Sequence, residues 1–226
     1  MNRHSLSRVL IRLAAYAVLA LAPSSFGWGQ EGELEPGFRW LFDGKSLDGW
    51  EGDTEYFRVQ DGAIVAGRLD RTIPHNQFLC TTERFGDFEL IVDVKLVGEG
   101  KNAGIQFRSE RLPNSTEVRG YQCDVGQAWN RPVWGALYDE SRRRTMLAEG
   151  PADQLPQWVR EGDWNRLRIW AEGDRIRLYL NGHPTVDYRE TDPGIPRTGI
   201  IGLQIHSGPP SEAWYRNIQI REIGSP

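Results

Sequence analysis

Polar residues spaced two apart on otherwise apolar segments are the first chemical signal in this 226-residue chain. Gln106 and Arg108 alternate with Ile105 and Phe107, Gln122 and Asp124 with Tyr121, Cys123 and Val125, and Gln204 and His206 with Leu203 and Ile205. A strand sends alternate side chains to opposite faces, so each polar pair shares one face. In a sandwich the apolar set turns toward the partner sheet, which places all six polar groups on outer faces. If the three segments join one sheet, they line a hollow holding an acid, an imidazole, a guanidinium and three amides. That set can hold and deprotonate a hydroxylated ligand. The plain alternative is a solvated outer face, common in antiparallel sheets. Residue type favours the hollow, because a merely wet face tends to carry Lys, Glu, Thr and Ser, and Asp in a strand needs a reason.

A second carboxylate, Glu140, closes the segment Tyr138-Asp139-Glu140, ahead of Ser141 and Arg142 to Arg144. Two carboxylates in separate environments can divide base and acid roles, and the His206 imidazole is a further candidate acid or base. Trp129, Trp134 and Tyr138 stand in or beside the neighbouring loops, where flat rings stack on sugar C–H faces or cap the core. Cys80 and Cys123 have no Cys or His at ligand spacing, so no zinc site is expected. An oxidising compartment would permit a disulfide between them without requiring it. The chain lacks Gly-x-Ser-x-Gly, His-Glu-x-x-His, Cys-x-x-Cys and a phosphate-cradling Gly loop, so serine-triad, zinc-protease and nucleotide chemistry are unsupported.

The elements that would position these groups read almost throughout at period two. Phe88, Leu90, Val92, Val94 and Leu96 alternate with Glu89, Ile91, Asp93 and Lys95, and Ile176, Leu178 and Leu180 alternate with Arg177 and Tyr179. Asp61-Gly62 and Asn181-Gly182 match two-residue hairpins, and Gly173-Asp174 joins two further strands. Turn signals about every 8 to 12 residues predict an all-β antiparallel sandwich or jelly roll. Residues 69–77, 109–119, 127–131 and 139–161 read as loops. At 39% hydrophobic and 26% charged residues, the chain can build one globular core. A formal charge of −4 offers nothing to nucleic acid or an anionic membrane.

Arg3, Arg8 and Arg12, the apolar run Leu13 to Ala22 and the small, turn-forming residues after Pro23 follow the order of a secretory signal. Residues 1–30 are therefore expected to be removed, leaving one domain over 31–226, periplasmic or secreted. The run is too short for a stable membrane span, and removal would shift the formal charge to −7.

An ordered series resembles the 3-keto-disaccharide hydrolase family. It runs through Leu41-Phe42-Asp43-Gly44-Lys45-Ser46-Leu47-Asp48-Gly49-Trp50, Gly86-Asp87-Phe88, Asn102-Ala103-Gly104-Ile105-Gln106-Phe107-Arg108, Gly120-Tyr121-Gln122, Gly135-Ala136-Leu137-Tyr138-Asp139, Asp163-Trp164-Asn165, Leu180-Asn181-Gly182, Gly202-Leu203-Gln204-Ile205-His206 and Tyr215-Arg216-Asn217-Ile218. The resemblance implies a concanavalin-like jelly roll, exported, acting on glycosides already oxidised to a ketone at sugar carbon 3, with no cofactor. It makes Asp124, His206 and Glu140 the expected catalytic groups, and Gln106, Arg108, Gln122, Gln204, Tyr138 and Trp134 the expected substrate contacts. A non-catalytic carbohydrate-binding module is the alternative. The family pattern at one strand is Gly-Tyr-Glu-x-Gln; here Gln122 replaces that Glu and Asp124 that Gln, so the acid has moved one pleat step along the same face.

Overall fold

The computed structural model describes residues 32–224, so the expected export signal lies outside the described residues. In chain order the strands are β1 (Arg39–Trp40), β2 (Trp50–Glu51), β3 (Phe57–Gln60), β4 (Ala63–Arg68), β5 (Gln77–Thr81), β6 (Phe88–Gly98), β7 (Asn102–Arg111) and β8 (Val118–Ala128). Then come β9 (Arg131–Pro132), β10 (Leu137–Glu140), β11 (Thr145–Ala148), the single helical turn α1 (Leu155–Trp158), β12 (Asn165–Glu172), β13 (Arg175–Leu180), β14 (His183–Arg189), β15 (Ile200–Ile205) and β16 (Ser211–Glu222). One sheet runs β14-β13-β12-β6-β16-β4-β3 with β1 added on β16; the other runs β11-β10-β8-β7-β15-β5-β2 with β9 on β8. Every pairing is antiparallel, and the two sheets pack as the expected sandwich.

The core follows from the period-two pattern. Leu90, Val92 and Val94 of β6, with Leu167 and Ile169 of β12, meet Ile105, Cys123, Leu137 and Leu203 of the second sheet in one continuous cluster. Both expected hairpins form at the positions their turn residues demand. Asp61 and Gly62 have φ of 50° and 72°, and Asn181 and Gly182 have 49° and 86°, the positive values that a tight hairpin matching strand twist requires.

Three sequence expectations need correction. Residues 139–161 are not one loop: the stretch finishes β10, forms β11 and includes α1. Its short apolar pieces are too brief to show a period. Likewise β7 and β8 run to Arg111 and from Val118, leaving a short connection where a longer loop was expected.

Arg108 is the third and most consequential. Between Phe107 and Glu110 the register with β8 shifts by one residue, and Arg108 takes φ of 47°. This bulge re-aims its side chain. The guanidinium leaves the polar face and donates to Gly86 O (3.0 Å), Gly173 O (2.8 Å) and Asp87 Oδ1 (2.6 Å). Gly86 and Asp87 lead into β6 and Gly173 joins β12 to β13, so Arg108 ties one sheet to the turns of the other. Burial pulls its pKa down, with Asp87 opposing.

Cys80 and Cys123 are free and buried. Burial raises the Cys80 thiol to about 12 and also pushes Cys123 up, so neither is a ready nucleophile.

Removing a charged partner from a buried network strands the groups it served. Arg108→Gln keeps a polar side chain but cannot span three acceptors, so it should lower unfolding free energy by roughly 3 kcal/mol in urea titration. An unchanged midpoint would show that Arg108 does not join the sheets.

Candidate functional site

The three polar segments do fall side by side in one sheet, in the order β8-β7-β15, with β10 flanking β8. The registers stack two rows across the outer face. Tyr138, Gln122, Gln106 and Gly202 form one, and Asp124, Gly104 and Gln204 the next. His206, just past β15, continues the face, its N–H donating to Asn102 O at 3.2 Å. The same alternation separates neighbours on β10. Glu140 and Tyr138 turn outward, whereas Asp139 is fully buried and held by Arg142 and Arg143. Arg142 and Arg143 also lie over the Tyr121 ring, so they clamp the fold rather than line the polar face.

This outer face is not wet. Gln106 and Gln204 have no exposed surface, and Gln122 and Asp124 retain 3% and 5%. Buried amides need partners, and a directed chain supplies most of them. Ser109 Oγ donates to Gln106 Oε1 (2.8 Å), Gln106 Nε2 to Gln122 Oε1 (2.7 Å), and Gln122 Nε2 to Asp124 Oδ1 (2.7 Å). Gly104 makes room for it. A Cβ there would lie 2.4 Å from Gln122 Cδ, so only glycine lets Gln122 cross to Asp124. Both polar side-chain atoms of Gln204 lack partners; no contact in the structure explains it.

Above the chain opens a cleft of about 270 Å³ lined by Asn76, Asn102, Gln122, Asp124, Ala128, Trp129, Tyr138, Glu140 and His206. Desolvation by burial raises the Asp124 carboxyl to about 7, partly offset by the Gln122 hydrogen bond and reinforced by the charge of Glu140. Glu140 is also raised, by burial and then Glu117, while His206 pulls it down. Tyr138 is raised by burial, then by Glu140 and Asp124. His206 Nδ1 sits 2.7 Å from Ser207 O, a contact that needs a proton on Nδ1 and leaves Nε2 as the ring's other nitrogen. Asn76 Oδ1 accepts the Ser207 N–H at 2.9 Å and so braces that backbone. At the mouth, Trp129 is 63% exposed and tilts against Tyr138 at 5.9 Å between ring centres.

Of the expected residues, Asp124, Glu140, His206, Gln122 and Tyr138 share this cleft; Gln106 and Gln204 lie beneath it. Arg108 and Trp134 do not join them. Arg108 is carried off by its bulge, and Trp134, 5% exposed, packs into the core. Asn76, Asn102 and Ala128 were not anticipated. Asn102 was legible, since it stands one pleat step before Gly104; Asn76 lies in an irregular connection with no periodic signal. Among the described residues, no three His, Cys, Asp or Glu side chains converge tightly enough to hold a metal.

Residues 37–221 match the family described as a 3-keto-alpha-glucoside-1,2-lyase-like domain. Among curated protein sequences, none matches. Solved structures with the same fold include a proposed glycosyl hydrolase from Parabacteroides distasonis, 20% identical with TM-score 0.60, covering 82% of this chain and 99% of its own. The carbohydrate binding module CBM66 from Bacillus subtilis is 16% identical at TM-score 0.56, with 77% and 96% covered. A galectin-like protein of unknown function from Bacillus subtilis is 12% identical at TM-score 0.58, with 79% and 92% covered. At these identities the likeness is one of fold.

Asp124 should therefore titrate near 7 by carboxyl-carbon NMR, and Gln122→Leu or Gly104→Ala, each removing the Gln122 donor, should move that midpoint upward. Its folded pKa lies above the ordinary value of 3.8, so its contribution to stability is full at pH below about 4 and lost as pH rises through about 7. Asp124→Asn should raise the melting temperature more at pH 8 than at pH 4, the difference in unfolding free energy being on the order of 4 kcal/mol at most. A pH-independent difference would mean that Asp124 is not a desolvated carboxyl.

Proposed function

We propose, given that the chain belongs to the 3-keto-alpha-glucoside-1,2-lyase-like family, that it cleaves 3-keto-glycosides by elimination across carbons 1 and 2 followed by hydration. The observation that carries this reading is a near-neutral buried carboxyl, Asp124, sharing one cleft with Glu140 and His206. A ketone at carbon 3 acidifies the hydrogen on carbon 2. Asp124 takes that proton, and a base with a pKa near the working pH is the most effective one that is still ionised. The electron pair forms an enolate whose oxygen needs donors. Tyr138, Asn102 and Asn76 line the cleft and supply them.

The enolate then expels the oxygen on carbon 1, which takes a proton from Glu140. Asp124 and Glu140 repel one another when both are ionised, so near neutrality the two share one proton. Asp124 ionised with Glu140 protonated is one arrangement of that state and the productive one. As Glu140 loses its proton, His206 opposes the new charge. Water next adds to carbon 1 as Glu140 takes a proton from it, and Asp124, its carboxyl proton exchanged with solvent, delivers a proton to carbon 2. The balance is hydrolysis without an oxocarbenium ion. Trp129 at the mouth offers a ring face for a sugar.

The exposed Trp129 ring also favours a second reading, a module that binds glycan without turnover. Product release separates the two. We further propose that the protein is exported through residues 1–30 and works in the periplasm or outside the cell.

Purified protein incubated with a 3-keto-glucoside should release the aglycone. Asp124→Asn and His206→Ala should each reduce turnover at least 100-fold while leaving the circular dichroism spectrum unchanged. The rate should fall as pH rises beyond about 7, where the shared proton is lost, and fall again in acid, where both carboxyls are protonated. Full turnover in both variants would dismiss the assignment, and binding of keto-sugar with no product would favour the module.

A further inference from the structure

The opposite side of the sandwich carries a second, larger cleft of about 540 Å³, within the range of small-ligand sites. It lies on the outer faces of β6, β12, β13 and β16, and is lined by Arg166, Arg168, Arg177 and Arg221 with Trp170, Tyr179 and Gly182, and by Glu89 at its floor. Two buried acids and the half-buried Glu35 hold three of the arginines. Asp93 accepts from Arg166 at 2.7 Å, Glu89 accepts from Arg168 at 2.6 Å and from Arg221, and Glu35 accepts from Arg168. Glu89 and Asp93 side chains are 6% and 10% exposed, whereas the arginines that cover them are 34–45% exposed. The negative charge is thus underneath and the positive charge faces the opening.

Arg177 has a different environment. Its guanidinium lies 3.6 Å from the centre of the Trp170 ring, directly across the register. The acid facing it on β14, Asp187, is bound by Arg175 at 2.8 and 2.6 Å. Its Nε is buried without a hydrogen-bond partner. A buried donor with nothing to donate to is costly, and an arginine flattened on an indole presents its remaining N–H groups edge-on as a fork. Four guanidinium groups against Glu35, Glu89 and Asp93 leave one positive charge over, and it belongs to Arg177.

We infer that this cleft is a second saccharide site, for a sugar bearing an oxyanion, carboxylate or sulfate, with the anion on Arg177 and the ring against Tyr179. Tyr179 stands beside Arg168 in the register, one pleat step from Arg177. The exposed edges of Arg168 and Arg221 supply further donors, and the acids beneath them leave Arg177 as the cation without a carboxylate of its own. The inference is independent of keto-sugar cleavage, because it uses no residue of the Asp124 cleft.

Titration calorimetry of the purified protein with tri-galacturonic acid, galactose 6-sulfate and maltotriose tests it. Binding of at least one anionic probe, no maltotriose binding that Arg177→Gln weakens, and weakening of the anionic probe with added salt are expected; the tighter anionic probe identifies carboxylate or sulfate. Arg177→Gln should weaken the anionic probe at least tenfold, and Asp124→Asn should leave it unchanged. No binding by either anionic probe, an equal loss of maltotriose binding in Arg177→Gln, an unaltered Arg177→Gln, or loss in Asp124→Asn would each overturn the site.

Discussion

Gln106 and Gln122, two amides buried on the outside of a β-sheet, are tolerable because each answers the next, and the placing of Asp124 depends on that link. Ser109, Gln106 and Gln122 form a one-way chain that ends on Asp124. Because each amide oxygen is already accepting, each amide nitrogen points onward, and Asp124 receives a donor whose direction is not free to reverse. Burial raises the carboxyl while the chain restrains it, and the outcome near 7 is a balance of the two. Gly104 is the steric permission for the arrangement, since any larger residue would push Gln122 off its path.

Around that row the arginines do structural work that leaves the cleft itself acidic. Arg108 joins the sheets through Gly86, Asp87 and Gly173, and Arg142 and Arg143 neutralise Asp139 directly behind the face that carries Glu140. Without those clamps a buried Asp139 would sit uncompensated beside two other carboxylates. The division of labour is a consequence of the pleat. On β10 alternate carboxylates go to opposite faces, one paired with cations and one left to face the cleft.

Most of this was legible in the residues, because period two is a physical signal rather than a statistical one. The strands, both tight hairpins, the shared face of Gln106, Gln122, Asp124 and Gln204, and the place of Glu140 and Tyr138 beside it all follow from alternation. What escaped was whatever breaks alternation. Gln106-Phe107-Arg108 reads as unbroken, and only the extra residue opposite Gly120 turns Arg108 away. Trp134 sits where an aromatic could serve either a cleft or a core, and packing against the core decided it. Asn76 reaches the cleft from a connection without periodicity, so no pattern pointed to it. The strand and helical turn within residues 139–161 were hidden for the same reason.

The fate of the hydrogen on carbon 2 tests the account most directly. Cleavage of a 3-keto-glucoside in deuterium oxide, followed at once by mass spectrometry, should yield a released 3-keto sugar with deuterium at carbon 2 in excess of the enzyme-free control. Asp124→Asn should show neither cleavage nor that exchange. Product formed at full rate with the original hydrogen still on carbon 2 would contradict removal of that proton by Asp124, and with it the elimination route.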